Sequence, residues 1–305
     1  MNTKPRILLF GCGGQVGRAL EKKLMSGHDL IALDKHSDAY CGDFTDLSGL
    51  AETIRCVRPN VVINAAAYTA VDLAESKNEL VSLINSDAVG VLAEEIKSLN
   101  GYLVHYSTDY IFDGSGDHFR NEKEQPNPLS VYGQTKLAGE EKIIGSGCRH
   151  LIFRTSWVFS EMENNFMSTI LRLAKERDIL NIVGDQIGVP TSASLIADVT
   201  AQCIEQISGG NESFGIYNLV PEGQTSWCDY AAIIVELAQE FGCSNLLVSE
   251  QINKITTADY KTPAKRPLNS RLDTTKLKET FGVELPMWDR DVRTVLAKLI
   301  FDSEK

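Results

Sequence analysis

The chain has 305 residues, enough for about two domains of ordinary size and for a core that needs no disulfide or metal staples. Lys and Arg total 30 against 41 Asp and Glu, and the resulting formal net charge of −11 excludes a general nucleic-acid binder, which needs a basic footprint. With 43% hydrophobic and 23% charged residues, a long disordered protein is excluded as well.

The order of predicted elements is that of an α/β protein with a doubly wound parallel sheet. Residues 6–10 read as a buried strand, and Gly11-Cys12-Gly13-Gly14-Gln15-Val16-Gly17 leads into a helix through 18–24. Glycines such as Gly11, Gly14 and Gly17 at this junction let the backbone turn tightly and approach a pyrophosphate held at the helix N-terminus. A plain strand-to-helix turn is the competing reading. Residues 29–33 form the second strand and end at Asp34, where an acid accepts hydrogen bonds from an adenosine ribose. Lys35 and His36 tolerate a 2′-phosphate, so NADH and NADPH both stay open. Asp43 and Phe44 come next, an acid and an aromatic placed to flank an adenine ring. A helix over 50–58 stops at Pro59, and a third strand over 60–64 ends in Ala65, Ala66 and Ala67. Small side chains there suit a dinucleotide lying across the strand ends, or simply pack well.

A fourth strand over 101–106 leads to Ser107-Thr108-Asp109. Tyr132 and Lys136 follow at i and i+4 on one helix face. An ammonium beside a phenol favours the phenolate, and such a tyrosine donates a proton to a carbonyl oxygen that Thr108 holds in place. A single Y-x-x-x-K pair recurs by chance, so its weight comes from the glycine loop, Asp34 and the hydroxyl-bearing strand end before it. A fifth strand over 150–154 precedes Trp157, which either packs in the core or walls a substrate pocket. Beyond residue 160 the alternation breaks down, although 214–220 still reads as a strand. The expected division is a dinucleotide-binding core over 1–160, to which about 192–220 returns, and a substrate-binding portion over 161–191 and 221–305. Lys261, Lys265, Arg266 and Arg271 form a local basic loop in that portion, suited to a phosphorylated ligand or merely solvated.

Seven cysteines without a C-x-x-C pair fit reduced thiols. The apolar run at 7–10 is too short for a secretory segment, and no stretch of about 18 apolar residues occurs. A soluble cytoplasmic protein without membrane insertion or nucleic-acid partner is expected. The histidines show no metal-ligand spacing.

The motifs Leu8–Gly17, Cys41-Gly-Asp-Phe44, Asn64–Asp72, His105–Tyr110, Val131–Gly139, Arg154-Thr-Ser-Trp157, Gly188-Val-Pro-Thr191 and Arg266–Asp273 resemble the extended short-chain dehydrogenase/reductase family. Within it they are most similar to the dTDP-4-dehydrorhamnose reductases, over nearly the whole chain. The resemblance implies NADPH- or NADH-dependent reduction of dTDP-4-dehydro-β-L-rhamnose to dTDP-β-L-rhamnose, a precursor of cell-surface polysaccharide. It implies that Gly14, Gln15, Val16, Asp34, Asp43, Phe44 and Ala65 to Ala67 bind the dinucleotide, with Tyr106 at its nicotinamide end. Tyr132 is then the proton donor, Lys136 holds the nicotinamide ribose and tunes Tyr132, and Thr108, Asp109 and Trp157 contact the sugar. A diphosphate entering an acidic protein needs local positive charge, and the Lys261 to Arg271 loop, with Arg266 as its substrate-binding residue, is the best candidate. Some members form homodimers around Mg²⁺ through carboxylates, one of them after the Pro-Thr pair. Ser194 stands there in this chain, which argues against a metal-bridged dimer. Another sugar-nucleotide reductase, an epimerase, or a non-catalytic subunit like the regulatory subunit of methionine adenosyltransferase are the competing readings. Tyr110 in place of a second acid after Thr108-Asp109 counts against a dehydratase.

Overall fold

The structure, a computed structural model, describes residues 5–162, 165–243 and 251–302. Among them six strands form one parallel sheet: β1 (Arg6–Phe10), β2 (Asp29–Leu33), β3 (Val61–Asn64), β4 (Tyr102–Thr108), β5 (Arg149–Thr155) and β6 (Gly215–Asn218). Their spatial order is β6-β5-β4-β3-β1-β2, every pair parallel. All residues of β3 and β4 are buried, which is why these strands read as continuous runs rather than alternating ones. The order reverses between β1 and β3, and a sheet of this kind opens its ligand crevice beyond the carboxyl ends of the strands at that point.

Alternate residues of each strand point to opposite faces. Ile7, Leu9, Ile63, Val104 and Phe153 pack against α1 (Gln15–Leu24) on one face. Leu8, Phe10, Val62, Leu103 and Ile152 pack on the other against α2 (Leu47–Val57), α3 (Ala88–Ser98) and α4 (Val131–Ser146). Helix α2 starts earlier than residue 50 because the Asp46 carboxylate accepts from Gly49 N–H and caps it. Ser130 caps α4 in the same way, accepting from Gly133 N–H, and so fixes where Tyr132 and Lys136 stand. A buried ion pair ties α4 to the sheet, with Arg154 Nη2 on β5 lying 2.6 Å from Glu140 Oε2.

The second half builds α5 (Phe166–Glu176), α6 (Ala193–Ser208), α7 (Trp227–Glu240) and α8 (Trp288–Asp302). Helix α6, capped by Ser192, returns to pack beside α1 and lends Leu195, Ile196 and Val199 to the first core, and β6 then joins the sheet beside β5. A separate core gathers Phe159, Met167 and Ile170 with Tyr230, Ile234, Trp288 and Leu296. It stands beyond the carboxyl ends of β4 and β5, since Ile111 and Phe112 just after β4 belong to it. Two cores of this kind leave a seam between them, and the strand ends open into it.

Candidate active site

A cavity of about 550 Å³ occupies that seam, lined by the start of α1 and by residues just past β3, β4 and β5. At its base the chain turns through Gly11, whose φ of 84° is unfavourable for any residue with a Cβ. A Cβ on Gly11 would lie 2.5 Å from Ala66 N, and one on Gly17 would lie 2.0 Å from Gly11 O. These two glycines therefore stay out of the cavity and allow β1, α1 and the alanine segment to approach one another. Gly14 is the N-cap of α1 in an extended conformation with no side-chain cap, so the first N–H groups of the helix face the cavity. Gln15, Val16, Ala65 and Ala67 line the same end. Gln15 Oε1 accepts from Ser160 Oγ (2.9 Å) and Asn165 Nδ2 (3.3 Å), which ties the helix start to the substrate side.

Asp34 stands at the end of β2, its Oδ1 accepting from His36 N–H at 2.8 Å, and a Cβ on Gly13 would lie 3.5 Å from its Oδ2. It thus borders the glycine turn. A neighbouring hollow of about 550 Å³ is lined by Lys35, Tyr40, Cys41 and Asp43. Phe44 is not part of it. Its ring is 4% exposed and packs edge-on against Phe10, 5.7 Å between centroids, so it is a core residue beneath the sheet and offers no face to an adenine.

Tyr106, Thr108, Asp109, Tyr132 and Lys136 meet at the centre of the cavity. The Tyr106 hydroxyl bonds Thr200 Oγ1 at 2.8 Å and its ring stacks on Phe153, which fixes it in the wall. Thr108 Oγ1 donates to Asp109 Oδ1 at 3.1 Å and accepts from Tyr110 N–H at 3.2 Å. Burial pushes Asp109 up to about 6, opposed by the Ser270 and Thr108 hydroxyls. Lys136 Nζ donates to the Tyr106 carbonyl at 2.6 Å and meets His105 Nε2 at 3.1 Å. Burial pulls this lysine down to about 8, against the attraction of Glu140. Tyr132 departs from the expectation of a favoured phenolate: burial raises it to about 12, with Thr108 opposing and the Asp109 charge adding to the rise. Desolvation of a phenolate in this cavity is the largest cause. A phenol so placed keeps its proton throughout the neutral range.

Trp157, just past β5, has a φ of 47° and stacks on Trp227, 3.6 Å between centroids at 15°. A Cβ on Gly188 would lie 2.7 Å from the Trp157 ring, and Phe166 packs on the far indole at 4.5 Å. Trp227, Phe166 and Tyr230 were not signalled by the motifs; the only local sign is a tryptophan directly after the N-cap Ser226 of α7. Ser107 Oγ, Asp109 Oδ2, Thr155 Oγ1 and Tyr230 Oη line this cavity, are buried, and have no hydrogen-bond partner among the described residues. Buried polar atoms rarely stay unpaired, and these four belong to residues around one cavity.

Arg266 does not line the cavity. Its Nη2 lies 2.8 Å from Asp72 Oδ2, a part-exposed ion pair. Both residues act on the Tyr110 phenol at the cavity's edge. Ser194 borders a different hollow, lined by Arg18, Lys22, Lys23 and Lys298 together with Glu161 and Asp198. Four cations against two carboxylates, one of them already paired with Lys23 at 2.6 Å, do not fit Mg²⁺. Among the described residues no group of three His, Cys, Asp or Glu could hold a metal ion, and no helix is long and apolar enough to cross a membrane.

Residues 5–301 match the RmlD substrate binding domain family. A dTDP-4-dehydrorhamnose reductase of Salmonella typhimurium is 47% identical over 293 residues, 96% of this chain and 97% of that protein. The crystal structure of a dTDP-4-dehydrorhamnose reductase from Clostridium acetobutylicum superimposes with a TM-score of 0.86 at 32% identity, covering 98% of this chain and 100% of that one. One from Bacillus anthracis, in complex with NADP, gives 0.84 at 29% identity with the same coverage. Matched by this family over residues 5–301 and 47% identical to a reductase over nearly its whole length, the chain belongs to the dTDP-4-dehydrorhamnose reductase family.

Proposed function

We infer that the protein reduces dTDP-4-dehydro-β-L-rhamnose to dTDP-β-L-rhamnose with NADPH or NADH, in the synthesis of dTDP-rhamnose for cell-surface polysaccharide. The observation that carries this reading is the meeting of Tyr132, Thr108 and Lys136 in a cavity that opens on the uncapped start of α1. The cradle fits a dinucleotide: Gly14, Gln15 and Val16 meet the pyrophosphate, Asp34 and Asp43 the adenosine half, and Ala65 to Ala67 the span between. The Bacillus anthracis relative is in complex with NADP, which supports a dinucleotide as the ligand.

The bound dihydronicotinamide supplies the hydride that reaches C4 of the sugar. Tyr132 gives its hydroxyl proton to the carbonyl oxygen as that oxygen gains charge, and a phenol held protonated by burial is the form this step needs. Thr108 turns its hydroxyl from Asp109 to the same oxygen and orients it. Lys136, on the next turn of α4, holds the ribose hydroxyls next to the nicotinamide. Asp109 accepts from a sugar hydroxyl. The Trp157–Trp227 stack offers an apolar wall to the C6 methyl of a 6-deoxy sugar, and a C6 hydroxyl left there without a partner costs on the order of 1–3 kcal/mol. Arg266 swings from Asp72 to the diphosphate. On this reading residues 1–160 with 192–220 bind the dinucleotide, the remainder binds the sugar, and the enzyme works in the cytoplasm as a homodimer.

The test is oxidation of NADPH and NADH against a panel of nucleotide 4-keto-sugars. The dTDP-linked 6-deoxy substrate is turned over fastest, and Tyr132→Phe lowers kcat roughly 10²–10⁴-fold while cofactor affinity stays within a few-fold. Unchanged turnover in Tyr132→Phe, or no oxidation with any 4-keto-sugar, overturns the reading.

A further inference from the structure

The tryptophan wall of the cavity is backed by a chain of polar groups that no step above uses. Ile187 and Gly188 pair antiparallel with Ser226 and Thr225, which sets Gln186 beside Trp227. The segment Ile179–Val183 runs parallel to Gln251–Ile255, and Gly184 N–H extends that pairing onto the Ile255 carbonyl, which sets Asp185 beside Thr257. Side chains from three separate stretches of sequence then connect. The Thr257 main-chain N–H donates to both Asp185 oxygens at 2.9 Å, and Thr257 Oγ1 donates to Asp185 Oδ1 at 2.7 Å. Gln186 Nε2 donates to Thr257 Oγ1 at 3.0 Å, and Trp227 Nε1 donates to Gln186 Oε1 at 3.2 Å.

The two ends fix every bond between them. A carboxylate offers only acceptors, so the Thr257 hydroxyl directs its proton to Asp185 and keeps a lone pair for Gln186. An indole offers only a donor, so the Gln186 amide turns its oxygen to Trp227 and its NH₂ to Thr257. Both ends demand the same amide orientation, and a reversed amide would set N–H against N–H at the indole. Gln186 is 5% exposed, so solvent does not replace a bond lost there. The other holds on Trp227 are ring contacts, with Trp157 at 3.6 Å, Phe166 at 4.5 Å and Tyr230 at 6.3 Å between centroids. Burial of ring faces is non-directional and leaves the indole able to turn in its own plane. The bond at its edge removes that freedom.

We propose that Gln186 is a positioning residue for the cavity wall, itself oriented by Thr257 and Asp185: it pins the edge of the Trp227 indole, so that the Trp157–Trp227 face is set before a sugar arrives. Gly188, two residues on, leaves room for the other ring, since a Cβ there would lie 2.7 Å from Trp157, and one short segment thus backs both indoles. The inference deepens the role given to that wall above and rests on that reading for its relevance to turnover.

The decisive substitution is Thr257→Val, which keeps the shape of the side chain and removes the hydroxyl that receives Gln186. The experiment follows the three indole N–H groups by ¹H–¹⁵N NMR in the protein free of substrate and cofactor. Trp227→Phe identifies the resonance, and Trp288 reports on the fold. In the native protein Trp227 Nε1–H exchanges with solvent at least about tenfold more slowly than in free tryptophan. In Thr257→Val that exchange quickens roughly 2- to 10-fold, as the weakening of one neutral hydrogen bond does, while Trp288 keeps its rate. Thr257→Ser returns a hydroxyl and with it the native rate. Gln186→Leu removes the bond directly and quickens exchange at least as much as Thr257→Val. In turnover Thr257→Val raises KM more than it lowers kcat, and the advantage of the 6-deoxy substrate over its 6-hydroxy analogue narrows. A native Trp227 that exchanges as fast as free tryptophan overturns the proposal without any variant, and so does a native rate in Thr257→Val. A change shared equally by Trp288, or not reversed in Thr257→Ser, overturns it as well. The exchange measurement needs no substrate: if the indole responds while no 4-keto-sugar is reduced, the function assigned above fails and the positioning of Trp227 stands.

Discussion

Asp109→Asn separates the burden of a buried charge from the work that charge does. Asp109 is 2% exposed, its Oδ1 accepts from Thr108 Oγ1, and the Ser270 hydroxyl also favours its carboxylate. Burial lifts the carboxyl from 3.8 to about 6, so the folded protein binds the proton more tightly than the unfolded chain. A carboxyl raised in this sense weakens the fold as pH climbs from about 4 through about 6, and the deficit is then constant above that window. Its full size is about 3 kcal/mol at neutral pH. Asparagine keeps an oxygen for Thr108 and carries no charge, so it gains that amount above pH 7 and nothing below pH 4. For a chain of this length the gain corresponds to a melting point higher by roughly 5 °C. Urea unfolding of both proteins between pH 4 and pH 8 measures it, with kcat/KM followed in parallel and expected to fall, since the sugar loses a charged acceptor. A stability difference independent of pH, or a variant weaker than the native protein at pH 7.5, refutes the reasoning.

Asp34→Ala shifts preference toward NADPH, because the carboxylate suits a free ribose hydroxyl and repels a 2′-phosphate that Lys35 and His36 attract; an unchanged ratio of the two kcat/KM values removes Asp34 from the ribose. Arg266→Ala loses less than about 1 kcal/mol of stability, since its pair with Asp72 is part-exposed. The same variant raises KM more than it lowers kcat, as the loss of a remote diphosphate contact does, and a retained KM frees this loop from the substrate.

Much of the nucleotide half is legible in the sequence because its signals are local. A continuous apolar run, glycines and a helix pattern follow one another within residues 6–24, and Tyr132 and Lys136 are one turn apart on α4. What escapes is set by distance or by burial. Asp72 and Arg266 are 194 residues apart, so no motif announces that one carboxylate already engages the guanidinium. Trp157 and Trp227 come from the two halves of the chain and meet only in the fold. Phe44 and Tyr132 illustrate the other limit. The motif places each correctly along the chain, but whether a ring turns inward and how dry a phenol becomes depend on Phe10 and on the walls of the cavity.

The paired indoles make the protein its own optical probe. The chain has three tryptophans: two lie face to face in the cavity wall, and the third, Trp288, stands edge-on to Tyr230, which also touches Trp227. Indoles stacked this closely couple electronically, and near-ultraviolet dichroism reports their arrangement. Indole emission overlaps the absorption of a dihydronicotinamide, so energy passes from the wall to the coenzyme as it docks. Occupancy of the cleft is therefore readable from native fluorescence, with no dye, label or mutation.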